Sequence, residues 1–406
     1  MKYDFTTVLD RKGKDSIAVE PFEADWIKWP GKVKEGFDII PMWVADMNFP
    51  AVHTIPEAII ERTKHTTYGY FSPREEYFDA IIKWHKTRNG IEGLEPKHIG
   101  YENGVLGGVV SALNVLCSKG DSVLLHSPTY IGFTKSLTNN GYHIVHSPLV
   151  KDENNVYRMD FEDMEKKIVE NHIHAAIFCS PHNPTGRVWE RWEIEQAMAL
   201  YKKYDVMVVS DEIWSDILLT GYCHIPTQSV SEDAKMRTVA LYAPSKTFNL
   251  AGMKTSNIVI HNKELQKKWK DYVNGSLSMD GASALGMTAM IAAYTEGEEW
   301  LEQLKDYLDG NFAYIDEYLK KYLPKAHLVK AEGTYLAWLD LNGYVDRDEK
   351  KLEELMQKKA KVALDEGYIF GEEGRGFERI NVASPRSVIE ECMNRIRTAF
   401  EEEKLV

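Results

Sequence analysis

The sequence predicts an α/β fold, with a three-layer αβα large domain around a mostly parallel sheet and a smaller α+β domain after it. Between residues 99 and 260, apolar runs of strand length alternate with helical patterns, which is the order of a parallel sheet. Several of these runs are apolar throughout, as strands covered on both faces must be. After residue 322 the pattern becomes strand, helix, strand, helix, and this predicts the smaller unit.

The predicted elements follow this order along the chain. Prolines open two helices before the sheet, at residues 50–64 and 73–88. The strands of the large sheet, joined by right-handed crossovers, are Ser122–His126, His143–Ser147, Ala175–Ser180, Val206–Ser210, Thr238–Ala243 and Ser256–His261. Helices follow at 263–274, 281–296 and 298–322, and the smaller unit has strands at 335–341 and 379–383 and helices at 349–359 and 387–403.

The composition excludes several classes of partner. The net charge is -13, from 49 Lys and Arg against 62 Asp and Glu, whereas a nucleic acid or an anionic membrane surface requires a basic face. The four cysteines are far apart without a CxxC pair, which fits a reducing compartment and neither a disulfide framework nor a zinc site. The chain begins without the apolar core of a signal peptide, and no apolar run reaches the ~20 residues of a membrane span. We therefore expect a cytoplasmic protein without a metal site.

Lys246 is the first candidate for chemistry. It follows the apolar strand predicted at 238–243 and Pro244, so it lies at the carboxyl end of a strand, where ligands of α/β sheets bind. A lysine among apolar side chains loses solvation, so its amine becomes a nucleophile near neutral pH, suited to an imine with a carbonyl. The alternative is an ordinary surface lysine just past a strand.

Asp211 and Glu212 end another apolar strand, where a carboxylate has to be paired or hydrogen-bonded. A helix cap is one alternative, and a paired-carboxylate hydrolase is another. Adjacent residues of an extended strand point to opposite faces, so the two acids do not converge on one bond. This argues against the hydrolase.

Two further stretches are compatible with ligand contacts. Gly104 lies in a glycine-rich run before the apolar helix 109–117, where free N–H groups and the helix dipole suit a phosphate, although close helix packing explains the glycines equally well. The run is not GxGxxG, so a hydride-transferring dinucleotide enzyme is not favoured. Tyr130 follows the strand 122–126 and is available either to stack on a flat ring or to pack in the core.

Asn183 lies between two prolines in the turn 180–187, and Arg379 lies within an apolar strand. The asparagine can hydrogen-bond a ligand oxygen, although the same residue types form plain turns. A buried arginine needs an anionic partner. That partner is either a substrate carboxylate, bound bidentately, or a carboxylate of the chain in a structural salt bridge.

These pieces, taken in chain order, resemble the fold-type I pyridoxal-phosphate enzymes, aminotransferase class I/II. The set that carries the resemblance is Asn183-Pro184-Thr185-Gly186, Asp211, Ser245-Lys246 with Lys254 eight residues later, and Arg379. The resemblance covers nearly the whole chain. It is closest to the cystathionine β-lyase-like (MalY/PatB-type) branch, through the stretches at residues 44–49, 181–189, 245–249, 333–341 and 371–377.

The resemblance implies a role for each candidate residue. Lys246 would hold pyridoxal 5'-phosphate as an imine and later move the substrate Cα proton, and Asp211 would keep the ring nitrogen protonated. Tyr130 would stack on the ring. Asn183 would hydrogen-bond the ring hydroxyl oxygen and would join Arg379 in binding the substrate α-carboxylate.

The cofactor phosphate would be held by the backbone and side chains of Gly104, Val105, Leu106, Ser245 and Lys254. Tyr70 would reach the phosphate of a neighbouring subunit, which implies a homodimer with sites at the interface. Two positions depart from the family pattern, namely Lys254, where arginine is common, and Trp214, where many aminotransferases have tyrosine.

The branch implies a carbon–sulfur β-lyase, which cleaves cystathionine or a related cysteine S-conjugate to a thiol, pyruvate and ammonia by α,β-elimination. An aminotransferase would use the same residues, so the residues alone leave this alternative open. A non-catalytic regulatory or binding protein on the same fold is the second alternative. We divide the chain into an N-terminal segment that packs with the small domain (1–48), a large cofactor-binding domain (49–297) and a small C-terminal domain (298–406).

Overall fold

The computed structural model describes residues 2–20, 39–279 and 281–406; residues 1 and 21–38 of the predicted N-terminal segment lie outside them. The strands are β1 (Ile40–Pro41), β2 (Ile99–Glu102), β3 (Ser122–Ser127), β4 (His143–Pro148), β5 (Val150–Lys151), β6 (Tyr157–Arg158), β7 (Ala175–Cys179), β8 (Met207–Asp211), β9 (Thr238–Tyr242), β10 (Ser256–Val259), β11 (His327–Leu328), β12 (Leu336–Asp340), β13 (Val362–Ala363), β14 (Asp365–Glu366) and β15 (Phe377–Asn381). The helices are α1 (Thr54–Thr63), α2 (Glu75–Asn89), α3 (Val105–Leu116), α4 (Ile131–Asn139), α5 (Phe161–Glu170), α6 (Arg191–Lys203), α7 (Glu232–Arg237), α8 (Pro244–Thr247), α9 (Lys263–Lys270), α10 (Ala284–Glu296), α11 (Glu298–Tyr322), α12 (Asn342–Val345), α13 (Glu349–Glu353) and α14 (Arg386–Glu402).

The large sheet has seven strands in the order β2-β10-β9-β8-β7-β3-β4. The five strands from β9 to β4 are parallel, and β10 and β2 run antiparallel to their neighbours. Every residue of β7 and β9 is buried, so the sheet is covered on both faces. The predicted α/β fold with a mostly parallel sheet is confirmed.

The boundaries and one connection differ from the sequence prediction. The edge strand β2 was not predicted, because four residues that include a glycine and a glutamate carry no clear apolar pattern. Strand β10 is antiparallel to β9, so the expected crossover is absent between them; an antiparallel neighbour needs none. Helix α1 begins at Thr54 rather than Pro50, and the helix predicted at 349–359 ends as α13 at Glu353 before a π-helical turn, Glu354–Ala360.

The C-terminal part has the predicted α+β character. Its four-stranded sheet has the order β11-β12-β15-β14, and every pair is antiparallel. The long helix α11 buries one apolar stripe, including Trp300, Leu304 and Leu308. The domain boundary that we placed at residue 298 stays a prediction; α11 begins there, directly after Gly297.

Residues 42–48, which we call the strap, hydrogen-bond to both parts of the chain. On the C-terminal side, Asn381 donates from its backbone to the Met42 carbonyl (2.9 Å) and from its side chain to the Val44 carbonyl (2.7 Å). On the other side, the Asn249 side chain accepts from the Met47 N–H and donates to the Met47 carbonyl, both at 3.0 Å. The strap therefore ties the segment after β9 to β15.

Candidate active site

A cavity of about 300 Å³ lies at the carboxyl ends of β7, β8 and β9 and at the start of α3. Parallel strands carry their ligands at this edge, because the loops that follow them converge there. Every residue predicted for the site lines this cavity, with the exceptions of Tyr70 and Arg379. The structure thus brings together side chains that are up to 150 positions apart in the sequence.

Lys246 lies in the short helix α8, which begins at Pro244 two residues after β9 ends. Its Nζ donates to the Ala45 carbonyl of the strap at 2.7 Å and lies 5.5 Å from the ring centroid of Trp214. Burial, and then the nearby positive charge of Arg379, lower the pKa of Lys246 to about 8. A substantial fraction of the amine is therefore neutral near physiological pH, as a nucleophile or base must be.

Ala45 and Tyr335, which the sequence analysis did not assign to the site, help to position this lysine. The Tyr335 hydroxyl donates to the same Ala45 carbonyl at 3.0 Å, and the Tyr335 ring meets the Trp214 ring edge-on at 4.7 Å. Both Tyr335 and Trp214 are buried. The resemblance had covered the stretches that contain Ala45 and Tyr335, but no local pattern marks either residue as a neighbour of Lys246.

Asp211 is the last residue of β8, directly beside β9. The Ile213 N–H donates to its carboxylate at 3.0 Å, and burial raises the pKa of Asp211 to about 7. Glu212 turns away from the cavity and accepts hydrogen bonds from His224 (2.6 Å) and Tyr242 (2.8 Å). The two acids therefore do not converge, in agreement with the strand geometry that argued against a hydrolase.

We expect the burial of Asp211 to make the cofactor-free protein less stable as the pH rises from about 4 to about 7. In this range the folded state keeps a proton that the unfolded chain, with its ordinary pKa of 3.8, has released, so stability falls with rising pH. A separation of roughly three pKa units corresponds to about 4 kcal/mol as an upper bound.

Urea unfolding of the cofactor-free wild type and Asp211→Asn at pH 5 and pH 8 measures this effect. The variant cannot ionise, so its stability relative to wild type should increase between the two pH values. An unchanged difference would show that Asp211 titrates near its ordinary pKa.

The start of α3 offers backbone N–H groups to an anion. Gly104 precedes the helix with a φ of 82°, a left-handed conformation that favours glycine, and its own N–H donates to the Glu102 carbonyl at 2.9 Å. The N–H groups of Val105 and Leu106 begin the first turn and have no acceptor within the helix. Of the three predicted backbone groups, these two are the available donors.

Ser245 and Lys254 line the same cavity as the start of α3. Lys254 has a φ of 51°, and its carbonyl accepts from the Tyr101 hydroxyl of β2 at 2.9 Å. A positive helix end, a hydroxyl and an ammonium together make a site suited to a phosphate.

Tyr130 immediately precedes α4, and its ring meets the Phe133 ring edge-on at 5.4 Å. Position 132 has no room for a side chain, because a Cβ built on Gly132 would lie 2.3 Å from a Tyr130 ring carbon. Any larger residue at position 132 would displace the ring. The packing therefore holds Tyr130 in the cavity wall.

Arg379 lies in β15, outside the cavity lining but in contact with it through Asn183. One guanidinium nitrogen donates to the Asn183 side-chain oxygen at 3.1 Å, and the other donates to the Trp43 carbonyl at 3.0 Å and pairs with Asp365. The Phe370 ring lies 4.8 Å from the Arg379 carbon Cζ. The anionic partner in this structure is thus a carboxylate of the chain, as the salt-bridge alternative expected.

Tyr70 does not line the cavity. It belongs to an irregular segment between α1 and α2, its side chain is fully exposed, and Tyr68 and Phe71 beside it are exposed as well. The role predicted for Tyr70 in a neighbouring subunit stays a prediction.

The chain is similar to known proteins in both sequence and structure. The aminotransferase class I and II family pattern matches residues 38–396. The chain is 36% identical to cystathionine β-lyase PatB of Bacillus subtilis, over 92% of this chain and 96% of that protein. Among solved structures, it is similar to cystalysin of Treponema denticola, which contains pyridoxal 5'-phosphate (TM-score 0.93, 34% identity, 99% and 100% of the two chains).

It is also similar to the pyridoxal-phosphate-bound C–S lyase of Staphylococcus hominis, with a TM-score of 0.89 and 33% identity over 98% of each chain. In the described residues, no helix is both long and apolar enough to cross a membrane. Since the family pattern spans most of the sequence and PatB is similar along nearly its whole length, the chain belongs to the aminotransferase class I and II family.

Proposed function

We propose that this chain is a pyridoxal-phosphate-dependent carbon–sulfur β-lyase. Its substrates are cystathionine and related cysteine S-conjugates, which it converts with water to a thiol, pyruvate and ammonia. The observation that carries the proposal is that one cavity contains both Lys246, whose amine has a lowered pKa, and Asp211, a buried carboxylate at the end of the adjacent strand. The similarity to cystathionine β-lyase PatB and to the C–S lyase of Staphylococcus hominis supports the lyase rather than another reaction of the family.

The residues of the cavity fit the cofactor. Lys246 would hold it through its amine, Tyr130 would cover the ring, and Val105 and Leu106 would bind the phosphate together with the side chains of Ser245 and Lys254. Asp211 has no basic hydrogen-bond partner among the described residues, so a protonated ring nitrogen would supply the charge that it lacks. When bound, pyridoxal phosphate supplies an electron-withdrawing ring that stabilises negative charge at the substrate Cα.

The chain's own residues then have distinct tasks. Arg379 and Asn183 bind the α-carboxylate, which orients the substrate beside Lys246. The Lys246 amine, which the substrate amine would displace from the cofactor, would take the proton from Cα; its pKa of about 8 in the empty cavity suits a base near neutral pH. The carbon–sulfur bond at Cβ would then break with the thiolate as leaving group. The Ala45 carbonyl accepts a hydrogen bond from the Lys246 amine at 2.7 Å and so holds that amine in place.

A product assay tests the lyase reaction against transamination. We expect the purified protein to release pyruvate and homocysteine from cystathionine in the absence of any keto acid. Strict dependence on an added keto acid would instead establish an aminotransferase, which the family's own name makes the second candidate. Failure of both reactions with bound cofactor would favour a non-catalytic binding or regulatory protein on the same fold.

We also propose a cytoplasmic homodimer. The segment around Tyr70 supports a subunit interface, because Tyr68, Tyr70 and Phe71 are all exposed within four positions and clustered exposed apolar side chains mark interaction sites. In the dimer, Tyr70 would reach the cofactor phosphate of the partner. Sedimentation of the active enzyme tests this, and a fully active monomer would refute it.

A further inference from the structure

Arg379 carries its own counter-ion. Asp365 lies directly opposite it in the pairing of β14 with β15, and the two side chains form an ion pair. Only 5% of the Arg379 side chain and 14% of the Asp365 side chain are exposed. Salt and water screen such buried ion pairs little, so the charge of Asp365 acts strongly on any anion that binds to Arg379.

The guanidinium has few donors left for a ligand. One terminal nitrogen serves both Asp365 and the Trp43 carbonyl, and the other serves Asn183. The inner nitrogen Nε is buried and has no partner among the described residues. A carboxylate that takes a bidentate position on the two terminal nitrogens therefore has to share or replace the bond to Asp365.

We propose that Asp365 is a displaceable counter-ion, a positioning residue that holds Arg379 ready and takes up a proton when a substrate α-carboxylate binds. The inference rests on the proposed role of Arg379 as the carboxylate-binding residue. Two carboxylates around one guanidinium in a nearly dry site repel each other, and such pairs relieve the repulsion by keeping one proton between them. Carboxylate binding and protonation of Asp365 are thereby linked.

In the ion pair of Asp365 with Arg379, Asp365 is the member that titrates. Arg379 stays charged at any accessible pH, and burial raises the pKa of Asp365 above its ordinary value against the opposing effect of Arg379. Burial raises the pKa of Tyr130, just before α4, while the charge of Arg379 lowers it and the charge of Asp365 raises it. Glu366 follows Asp365 in β14 and Glu378 precedes Arg379 in β15; side chains alternate between the faces of a sheet, so neither carboxylate bonds to Arg379. Burial raises the pKa of both glutamates, and the charge of Asp365 nevertheless contributes to that rise.

The sign of the linkage follows from these charges. The pKa of Asp365 is raised in the free protein, and a second carboxylate on Arg379 raises it further. Between the two pKa values, binding takes up a proton, so affinity for a carboxylate falls by up to tenfold for each unit of rising pH. Below the lower value the affinity is independent of pH.

Calorimetric binding of 3-(methylsulfanyl)propionate to the holoenzyme tests the proposal. This probe is a thioether carboxylate without an amine, so it binds but does not react. Titrations in two buffers of different ionisation enthalpy, from pH 5.5 to 8.5, count the protons taken up per probe. Wild type is compared with Asp365→Asn, with Asp365→Ser in case the first variant folds poorly, and with Glu366→Gln as the matched neighbouring carboxyl.

We expect proton uptake in wild type, reduced uptake in the Asp365 variants, and wild-type behaviour in Glu366→Gln. At pH 8 the Asp365 variants should bind the probe at least ~10-fold more tightly, because they lack the competing anion, which is worth about 1.4 kcal/mol or more. Equal proton uptake and an equal pH slope in wild type and the Asp365 variants would overturn the proposal.

Arg379→Gln separates this inference from the function on which it rests. If that variant binds the probe as well as wild type does, Arg379 is not the carboxylate-binding residue, and both the assignment and the inference fail. If it loses the probe while the Asp365 variants keep the wild-type pH slope, the role of Arg379 stands and only the counter-ion inference is wrong.

Discussion

Lys246→Ala is expected to abolish pyruvate release from cystathionine. Loss of the base that removes the Cα proton alone costs about 10²–10⁴-fold in rate, and the variant also loses the amine that holds the cofactor. Pyruvate release and the visible absorption band of the purified protein, before and after borohydride, measure the two effects separately. Lys246→Arg keeps a cation near Ala45 and Trp214, and it should be equally inactive, because a guanidinium does not give up its proton.

Lys254→Ala is the matched control, since this second lysine lines the same cavity without being assigned a proton transfer. It should weaken retention of the cofactor and regain most of its activity when pyridoxal phosphate is added in excess. A Lys246→Ala enzyme with near wild-type turnover, or one that still binds the cofactor covalently, would remove Lys246 from the centre of the mechanism.

Asp211→Asn is expected to lower turnover by about 10–10³-fold while the cofactor still binds. A neighbouring carboxylate favours the protonated form of its partner by about 1–3 pKa units, and the neutral amide loses that effect on the ring nitrogen. The measurement is turnover at saturating cystathionine, together with the pH dependence of the bound cofactor's absorption. Asp211→Glu keeps the charge and should recover part of the activity.

The same variant should be more stable than wild type without cofactor at pH 8, as argued above from the raised pKa of Asp211. A substitution that stabilises the empty protein and disables the enzyme marks a group whose burial serves function at a cost in stability. Wild-type turnover in Asp211→Asn would contradict the role of the carboxylate, whatever its effect on stability.

The sheet and the edge that carries the site were predictable because they depend on local patterns. Continuous apolar runs such as Ala175–Cys179 mark strands buried on both faces, and the polar residue that ends such a strand lies at the ligand-binding edge. Asp211 and Lys246 both stand at the end of such a run, so both were expected at one edge of the sheet. Strand β2 escaped it, because an edge strand with little apolar character leaves no such pattern.

What the sequence determined by itself was the fold class, the family resemblance and the residue types available for chemistry. Only the tertiary structure decided their partners: the Ala45 carbonyl, which accepts from both the Lys246 amine and the Tyr335 hydroxyl, and Asp365 on Arg379. Ala45 lies 201 positions from Lys246, and contacts over such distances arise when separate elements pack, with no periodicity along the chain to record them. The pKa values of the buried groups were likewise decided there, because burial and neighbouring charge exist only in the folded protein.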